Sequence, residues 1–322
     1  EGDADGDGVP GVGEVFLYGT DPLAKDEVAR APTPAASGAA LKKSAAAAAK
    51  TAVLRSYGTG ATYYADASRP DDSGDGLAWG TAKRTIQAAV DAASAGDTVL
   101  VTNGVYSEGT RITPGGLFQN RLVITNGVLV KSVNGAAATA IQGSGSEYFD
   151  TASAVRCVFI SDGVLDGFTL EGGAAVAHWT SSSERDKSGG CLNMGYASAG
   201  SEARNCILTG GTAYDGGGVF GGRLADCLVT GCNAYYGAGT YCALVLDCTV
   251  AGNGAWVSSG GTRSGGVTNS VVCGNTTGWE SPNCHDCTVF RTCSDPDNFG
   301  QSNTSGDCLF ADPLFADAGS GD

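Results

Sequence analysis

Six segments of the chain share one pattern: RNCILTGG, ADCLVTGC, LDCTVAGN, TNSVVCGN, HDCTVFRT and GDCLFADP. Their third residues are Cys206, Cys227, Cys248, Ser270, Cys287 and Cys308, at intervals of 21, 21, 22, 17 and 21 residues. Self-similarity at such a period marks a solenoid, whose units bury their apolar faces only against one another. A unit of this length is too short for a strand, a crossover helix and their loops. It holds three short strands with turns, one coil of a parallel β-helix. Like residues of successive coils then stack about 4.8 Å apart. A leucine-rich repeat has a similar period, but its leucine spacing is absent.

Within each segment, alternate positions are apolar: Cys206 and Leu208, Cys227 and Val229, Cys248 and Val250, Cys287 and Val289, Cys308 and Phe310. Period two predicts strands with one buried face. Before each stands Asn205, Asp226, Asp247, Asn269, Asp286 or Asp307. Asn and Asp accept left-handed backbone and bond neighbouring backbone groups, so they predict tight corners. The 51 glycines and only 16% charged residues fit many short strands joined by turns.

Upstream, Ile86, Ala89, Val90 and Ala93 recur at helical spacing and Gly96 ends the stripe. DTVLVTNGVY follows, a β-branched run with an Asn103-Gly104 turn. One helix ahead of many strands predicts a lid over the first open sheet edge. Residues 25–58 read as an Ala/Pro-rich linker, extended at its prolines and able to form helix around Ala45 to Arg55. The expected fold is all-β, a right-handed parallel β-helix over 59–306 with an N-terminal capping helix. A calcium loop over 1–24 and the linker precede it, and 307–322 begin a further segment. The chain opens at Glu1 and stops in AGSGD, so both ends are expected to lie inside a longer protein.

DADGDGVPGVGE matches the calcium-loop pattern D-x-D-x-D-G-x5-E. Asp3, Asp5, Asp7 and Glu14 supply carboxylates, the Val9 carbonyl a further oxygen, and Gly8 the sharp turn. The following EVFLYGTDPL resembles the bacterial type of thrombospondin type 3 repeat. Residues 63 to about 317 resemble the pectin-lyase-like, right-handed β-helix superfamily. The segments that carry this are YYADASRPDDSGDGLAWGTAKRTIQAAVDAASAGDTVLVTNGVYSEG, KSVNGAAATAIQG and the DC/NC repeats. The GGG and DC repeats are similar to large secreted bacterial proteins, and FADPLFADAGSGD to a segment preceding a C-terminal anchor in some of them. That implies an extracellular or cell-surface location.

Functional chemistry is sparser. A net charge of −15 disfavours nucleic acid, and no run reaches the length of a membrane span. The motifs of β-helix lyases and hydrolases are missing, and His178 and His285 do not stand in a Gly-His-Gly setting. HWTSSSERDK, with Trp179, Arg185 and Lys187, reads as a charged loop protruding from one coil. Tyr214, Tyr235 and Tyr236 recur at one place in successive coils and Trp256 follows, either a ring ladder for sugars or packing at a corner. Asn275 and Asn303 open glycosylation sequons. Twelve cysteines, all after residue 156, leave disulfides and buried thiols equally open. Cys206, Cys227 and Cys248 are expected to be packed thiols, with any bridges among Cys232, Cys242, Cys273, Cys284 and Cys293. The leading expectation is a non-catalytic module for adhesion, surface structure or glycan binding, stabilised in part by calcium. The alternative is a polysaccharide lyase or glycoside hydrolase acting on acidic glycans. A Lys/Arg pair or a carboxylate pair on neighbouring coils, within one concave groove, would favour the enzyme, and a uniformly packed stack with a bare surface the structural module.

Overall fold

The computed structural model describes residues 57–145, 154–175, 184–195, 200–279, 281–295 and 303–311. The chain divides into two units, Glu1–Arg55 and Ser56–Asp322, and every described residue belongs to the second. The calcium-loop residues, Trp179 and segment 312–322 lie outside the described residues. Among those described, no helix is long and apolar enough to cross a membrane.

The strands form sheets of ten, nine, five and eight members, and successive coils pair in parallel. One coil shows the plan. Ser201–Arg204 lies in the ten-stranded sheet, Ile207–Thr209 in the nine-stranded, Thr212–Asp215 in the five-stranded and Val219–Gly221 in the eight-stranded. Arg223–Ala225 then returns to the first sheet one layer on. The period suggested three strands per coil. The fourth begins at Ala174–Ala175, where the glycine pair after the nine-stranded sheet lets the chain turn into another short strand.

The interior is filled by in-register columns. In the ten-stranded sheet Val99, Val130, Leu165, Ala203, Leu224, Val245, Val267 and Val289 stack inward, all at 0% exposure. In the nine-stranded sheet Leu208, Val229, Val250 and Val272 do the same. Each such Val or Leu contributes about 1.5–3 kcal/mol by leaving water. Phe310, in the last described strand, breaks the expected alternation at 42% exposure, because no described coil covers it.

The corners explain the repeat. Asn205, Asp226, Asp247, Asn269 and Asp307 have φ between 51° and 54° and turn the chain from the ten- to the nine-stranded sheet. The next residue carries a side chain that closes the corner twice. Cys206 Sγ donates to Arg204 O at 3.1 Å, Cys227 Sγ to Ala225 O at 3.1 Å and Ser270 Oγ to Thr268 O at 2.8 Å. The same atoms accept from the previous coil, Cys206 N–H donating to Cys227 Sγ, Cys227 N–H to Cys248 Sγ and Cys248 N–H to Ser270 Oγ. At the next corner Asn253 and Asn275 act alike, taking the N–H of Cys232 and of Asn253, each at 3.0 Å.

This geometry corrects three expectations. Asp286 and Cys287 belong to a different corner, between the eight- and ten-stranded sheets, where Cys242 and Ser264 are also left-handed. The partner of Ser270 is Thr292, whose hydroxyl donates to Phe290 O at 2.9 Å after left-handed Arg291. The 17-residue interval is therefore a shift of one corner, not a short coil. All twelve cysteines are thiols, so no bridge joins the turn cysteines. Asn275 is 3% exposed and committed to its ladder, so its sequon is no glycosylation acceptor.

Helix α1, Ile86–Ala92, lies where the stripe placed it, with Ile86, Ala89 and Val90 buried and Thr85 capping Ala88 N–H. It closes a strand edge directly. Gln87 Oε1 accepts Val123 N–H at 2.8 Å and Gln87 Nε2 donates to Val123 O at 3.2 Å, replacing a neighbouring strand. Antiparallel Arg111–Ile112 covers the start of that same strand, Gln119–Ile124.

A buried cation ties this end to a short helix α2, Glu184–Lys187. Arg156 is 0% exposed and donates to Gly189 O (2.8 Å), Asn120 Oδ1 (2.7 Å), Thr113 Oγ1 (3.2 Å) and Ser188 O (2.9 Å). Burial pulls its pKa down to about 9 while the Asp186 carboxylate pulls it back, so the group is charged at neutral pH.

Two stability measurements test this account. Asp226→Val, which forces a β-branched residue into left-handed backbone, is expected to cost about 1–2 kcal/mol in urea denaturation. Asp226→Gly is expected to cost clearly less, since it has no Cβ to strain. Arg156→Met is expected to cost about 3–5 kcal/mol at neutral pH, because it strands buried acceptors and the Asp186 charge.

Candidate functional site

The five-stranded sheet presents a row of rings. Its inward column is Ala175, Ala213, Ala234 and Ala255, all buried, so strand alternation sends the following residues outward. Tyr214 and Tyr235 stack on adjacent coils with centroids 4.9 Å apart and planes tilted 32°. Trp256 continues the row edge-on to Tyr235, 4.9 Å away, and is 45% exposed. Trp279, 86% exposed, follows Gly278, whose N–H bonds Ala255 O on the strand carrying Trp256. The tyrosines thus lie on a strand face, not at a corner. Trp279 was legible as TTGW one period after AWV, but its coil was misaligned by the Cys287 register.

Tyr236 serves a second contact. Opposite it the neighbouring strand shifts register between Ala234 and Tyr236, and its ring takes the Arg263 guanidinium at 4.8 Å. Arg263 also lies 6.0 Å from the Tyr241 ring, which stacks on Phe220 at 5.8 Å. At the other end of the row Lys187 Nζ sits 5.0 Å from the Tyr214 ring and 3.5 Å from Asp215. Burial, with Tyr236 and Asp215 adding to it, raises the Tyr214 pKa above the usual phenol range, so its ring is neutral.

The SERDK loop is not simply a solvated protrusion. Asp186 is 6% exposed and accepts Leu117 N–H (2.9 Å) and Phe118 N–H (3.1 Å). Lys187 joins the ring row, and the Arg185 side chain and Trp179 lie outside what is described.

A second cluster was invisible in the sequence. On the ten-stranded sheet Lys131, Asp166 and Arg204 occupy one register position on three successive coils. Asp166 meets Arg204 Nε at 3.2 Å, Lys131 Nζ at 3.7 Å and Asn205 Nδ2 at 2.7 Å. Beside it Glu202 pairs with Arg204 (3.7 Å) and with Arg223 on the next coil. Two carboxylates on adjacent coils are thereby held among three cations. Their sequence separations differ with coil length, so no motif announces them. Among the described residues no group of three or more His, Cys, Asp or Glu side chains is placed to hold a metal ion.

No family model matches the chain, and no curated protein does. Four solved chains do match. Pectin methylesterase PemA from Erwinia chrysanthemi is 17% identical with a TM-score of 0.44, over 77% of this chain and 81% of that one. A pectin methylesterase mutant in complex with a hexasaccharide is 16% identical with a TM-score of 0.42, over the same shares of 77% and 81%. A rhamnogalacturonan lyase is 12% identical with a TM-score of 0.37, over 75% of this chain and 69% of that one.

Proposed function

We propose that this chain is an extracellular or cell-surface glycan-binding β-helix whose platform is the ring row Tyr214, Tyr235 and Trp256. The observation that carries the reading is the outward stacking of these rings over an alanine column, which leaves Trp256 45% exposed. Aromatic faces suit the C–H faces of sugars, and the centroid spacing of 4.9 Å matches the coil rise, so the row runs along the stack. A ligand lying along the axis then meets one ring per coil. The N-terminal loop adds a calcium site through Asp3, Asp5, Asp7, Glu14 and the Val9 carbonyl, supported by its complete sequence pattern.

A second reading has its own observation. Asp166 and Glu202, on neighbouring coils and flanked by Lys131, Arg204 and Arg223, supply the acids and bases that a lyase or hydrolase of acidic glycans needs. As they stand, the pairs cancel one another. The ring row therefore leads.

A glycan array followed by affinity electrophoresis tests both readings. Trp256→Ala and Tyr235→Ala are each expected to weaken retention about five- to thirtyfold, in line with about 1–2 kcal/mol for a lost ring contact. Retention unchanged in the double variant rejects the ring platform. Assays for unsaturated ends and for reducing ends on pectate, alginate and chondroitin are expected to show no turnover. Turnover lost in Glu202→Gln would instead establish the enzyme. For the loop, calorimetry of the whole chain is expected to show calcium binding preferred over magnesium and abolished in Asp5→Ala.

A further inference from the structure

At the lid end of the coil a cleft of about 410 Å³ opens between α1 and the loop that follows Gly104–Tyr106. That size lies within the range of small-molecule sites. Val105, 54% exposed, gives it an apolar wall with Tyr106, behind which Leu122 and Ile141 are buried at 1%. Arg84, Arg111 and Arg121 give it a cationic rim.

The three arginines are not equivalent. Arg84 pairs with Glu108 at 2.6 Å, and Arg111 pairs with Asp91. All four of those side chains are 38–68% exposed, so the pairs are solvated, weak and exchangeable. Arg121 is half-buried and has no carboxylate partner among the described residues. Its Nε donates to Gln142 O at 2.8 Å and Nη1 to Gly109 O at 2.9 Å, which fixes the guanidinium and leaves Nη2 without an acceptor among the described residues. Asp72 is held at the start of α1, where its two oxygens take Thr85 N–H (2.8 Å) and Thr85 Oγ1 (3.0 Å). The cleft thus combines an apolar wall with one immobilised guanidinium that has no ion-pair partner among the described residues and two cations whose counter-ions a ligand can displace.

We infer that this cleft binds a small organic carboxylate of sugar-acid size. The carboxylate takes the open edge of Arg121, as guanidinium geometry favours. The carbon face lies on Val105. A longer ligand exchanges with Glu108 for Arg84, loosening the loop that carries Glu108 and Gly109. The site is separate from the ring row and does not depend on it.

Glucuronate and glucose are suitable probes, since they share a ring and differ in the carboxylate. Titration calorimetry on the whole chain is expected to give binding of glucuronate and at least tenfold weaker binding of glucose. Arg121→Gln is expected to weaken glucuronate at least tenfold, Arg121→Lys to keep part of the affinity, and Glu108→Gln to tighten it by freeing Arg84. Circular dichroism checks that each variant is folded. Trp256→Ala is expected to change nothing. Equal binding of the two sugars overturns the inference. So does unchanged affinity in folded Arg121→Gln, or affinity in Glu108→Gln that is unchanged or weaker. A loss in Trp256→Ala overturns it as well, because the ligand would then be on the ring row.

Discussion

A chain that turns a corner every few residues leaves a backbone N–H pointing along the stack with no strand to receive it. Burying that group unpaired would cost about 1–3 kcal/mol at each coil. The molecule meets the problem with a short side chain from the following coil: a thiol at Cys227 and Cys248, a hydroxyl at Ser270, an amide at Asn253 and Asn275. The thiols, the hydroxyl and Asn253 each also donate to a carbonyl of their own corner, so one small group satisfies two backbone atoms and ties two coils. The bend is supplied by the left-handed residue just before, Asp226, Asp247 or Asn269 at the thiol and hydroxyl corner and Gly252 or Gly274 at the amide corner. The repeat DC, NC or NS is the chemical record of this corner. The same role accounts for free thiols in stacked positions, since a disulfide would remove the S–H donors on which the corner depends.

Once the corners fix the register, every other residue is placed by counting. An alanine column inside the five-stranded sheet lines up Tyr214, Tyr235 and Trp256 outside it, although they lie about a coil apart in the chain. The same register gathers Lys131, Asp166 and Arg204, which lie 35 and 38 residues apart in the chain. Side chains on a solenoid face are therefore organised by the core beneath them, and a binding row needs no loop to shape it.

This also marks how far the sequence could be read. The capping helix, the strand alternation and the left-handed corners were legible because each is local: Ile86, Ala89 and Val90 share a face, and Asn205 and Asp226 stand where the chain must bend. The ring row was legible because Tyr214 and Tyr235 follow the period. Cys287 was assigned to the wrong corner because Asp286–Cys287, between the eight- and ten-stranded sheets, repeats the left-handed acid and small polar side chain of the first corner, whereas the corner it occupies elsewhere reads Cys242–Ala243 and Ser264–Gly265. Thr292, the true partner of Ser270, lacks the cysteine that carried the alignment. The fourth strand was missed since two or three residues between glycines give no periodic signal. Arg156 and Asp186 stand 30 residues apart with no motif joining them, and only folding buries both.

Charge decides which face is best suited to a glycan. The chain carries −15 overall, so any anionic polymer approaches against a long-range repulsion that local cations must overcome. On the ten-stranded sheet those cations are already committed: Lys131 and Arg204 to Asp166, Arg223 to Glu202. An acidic glycan there would have to displace a buried carboxylate with several partners, and Asp166 is only 5% exposed. The ring row asks for no such exchange. Dispersion and C–H contact with Tyr214, Tyr235 and Trp256 act at short range and are indifferent to net charge or salt. In so acidic a molecule, a neutral platform offers a polymer an attraction that the net charge of the protein does not oppose.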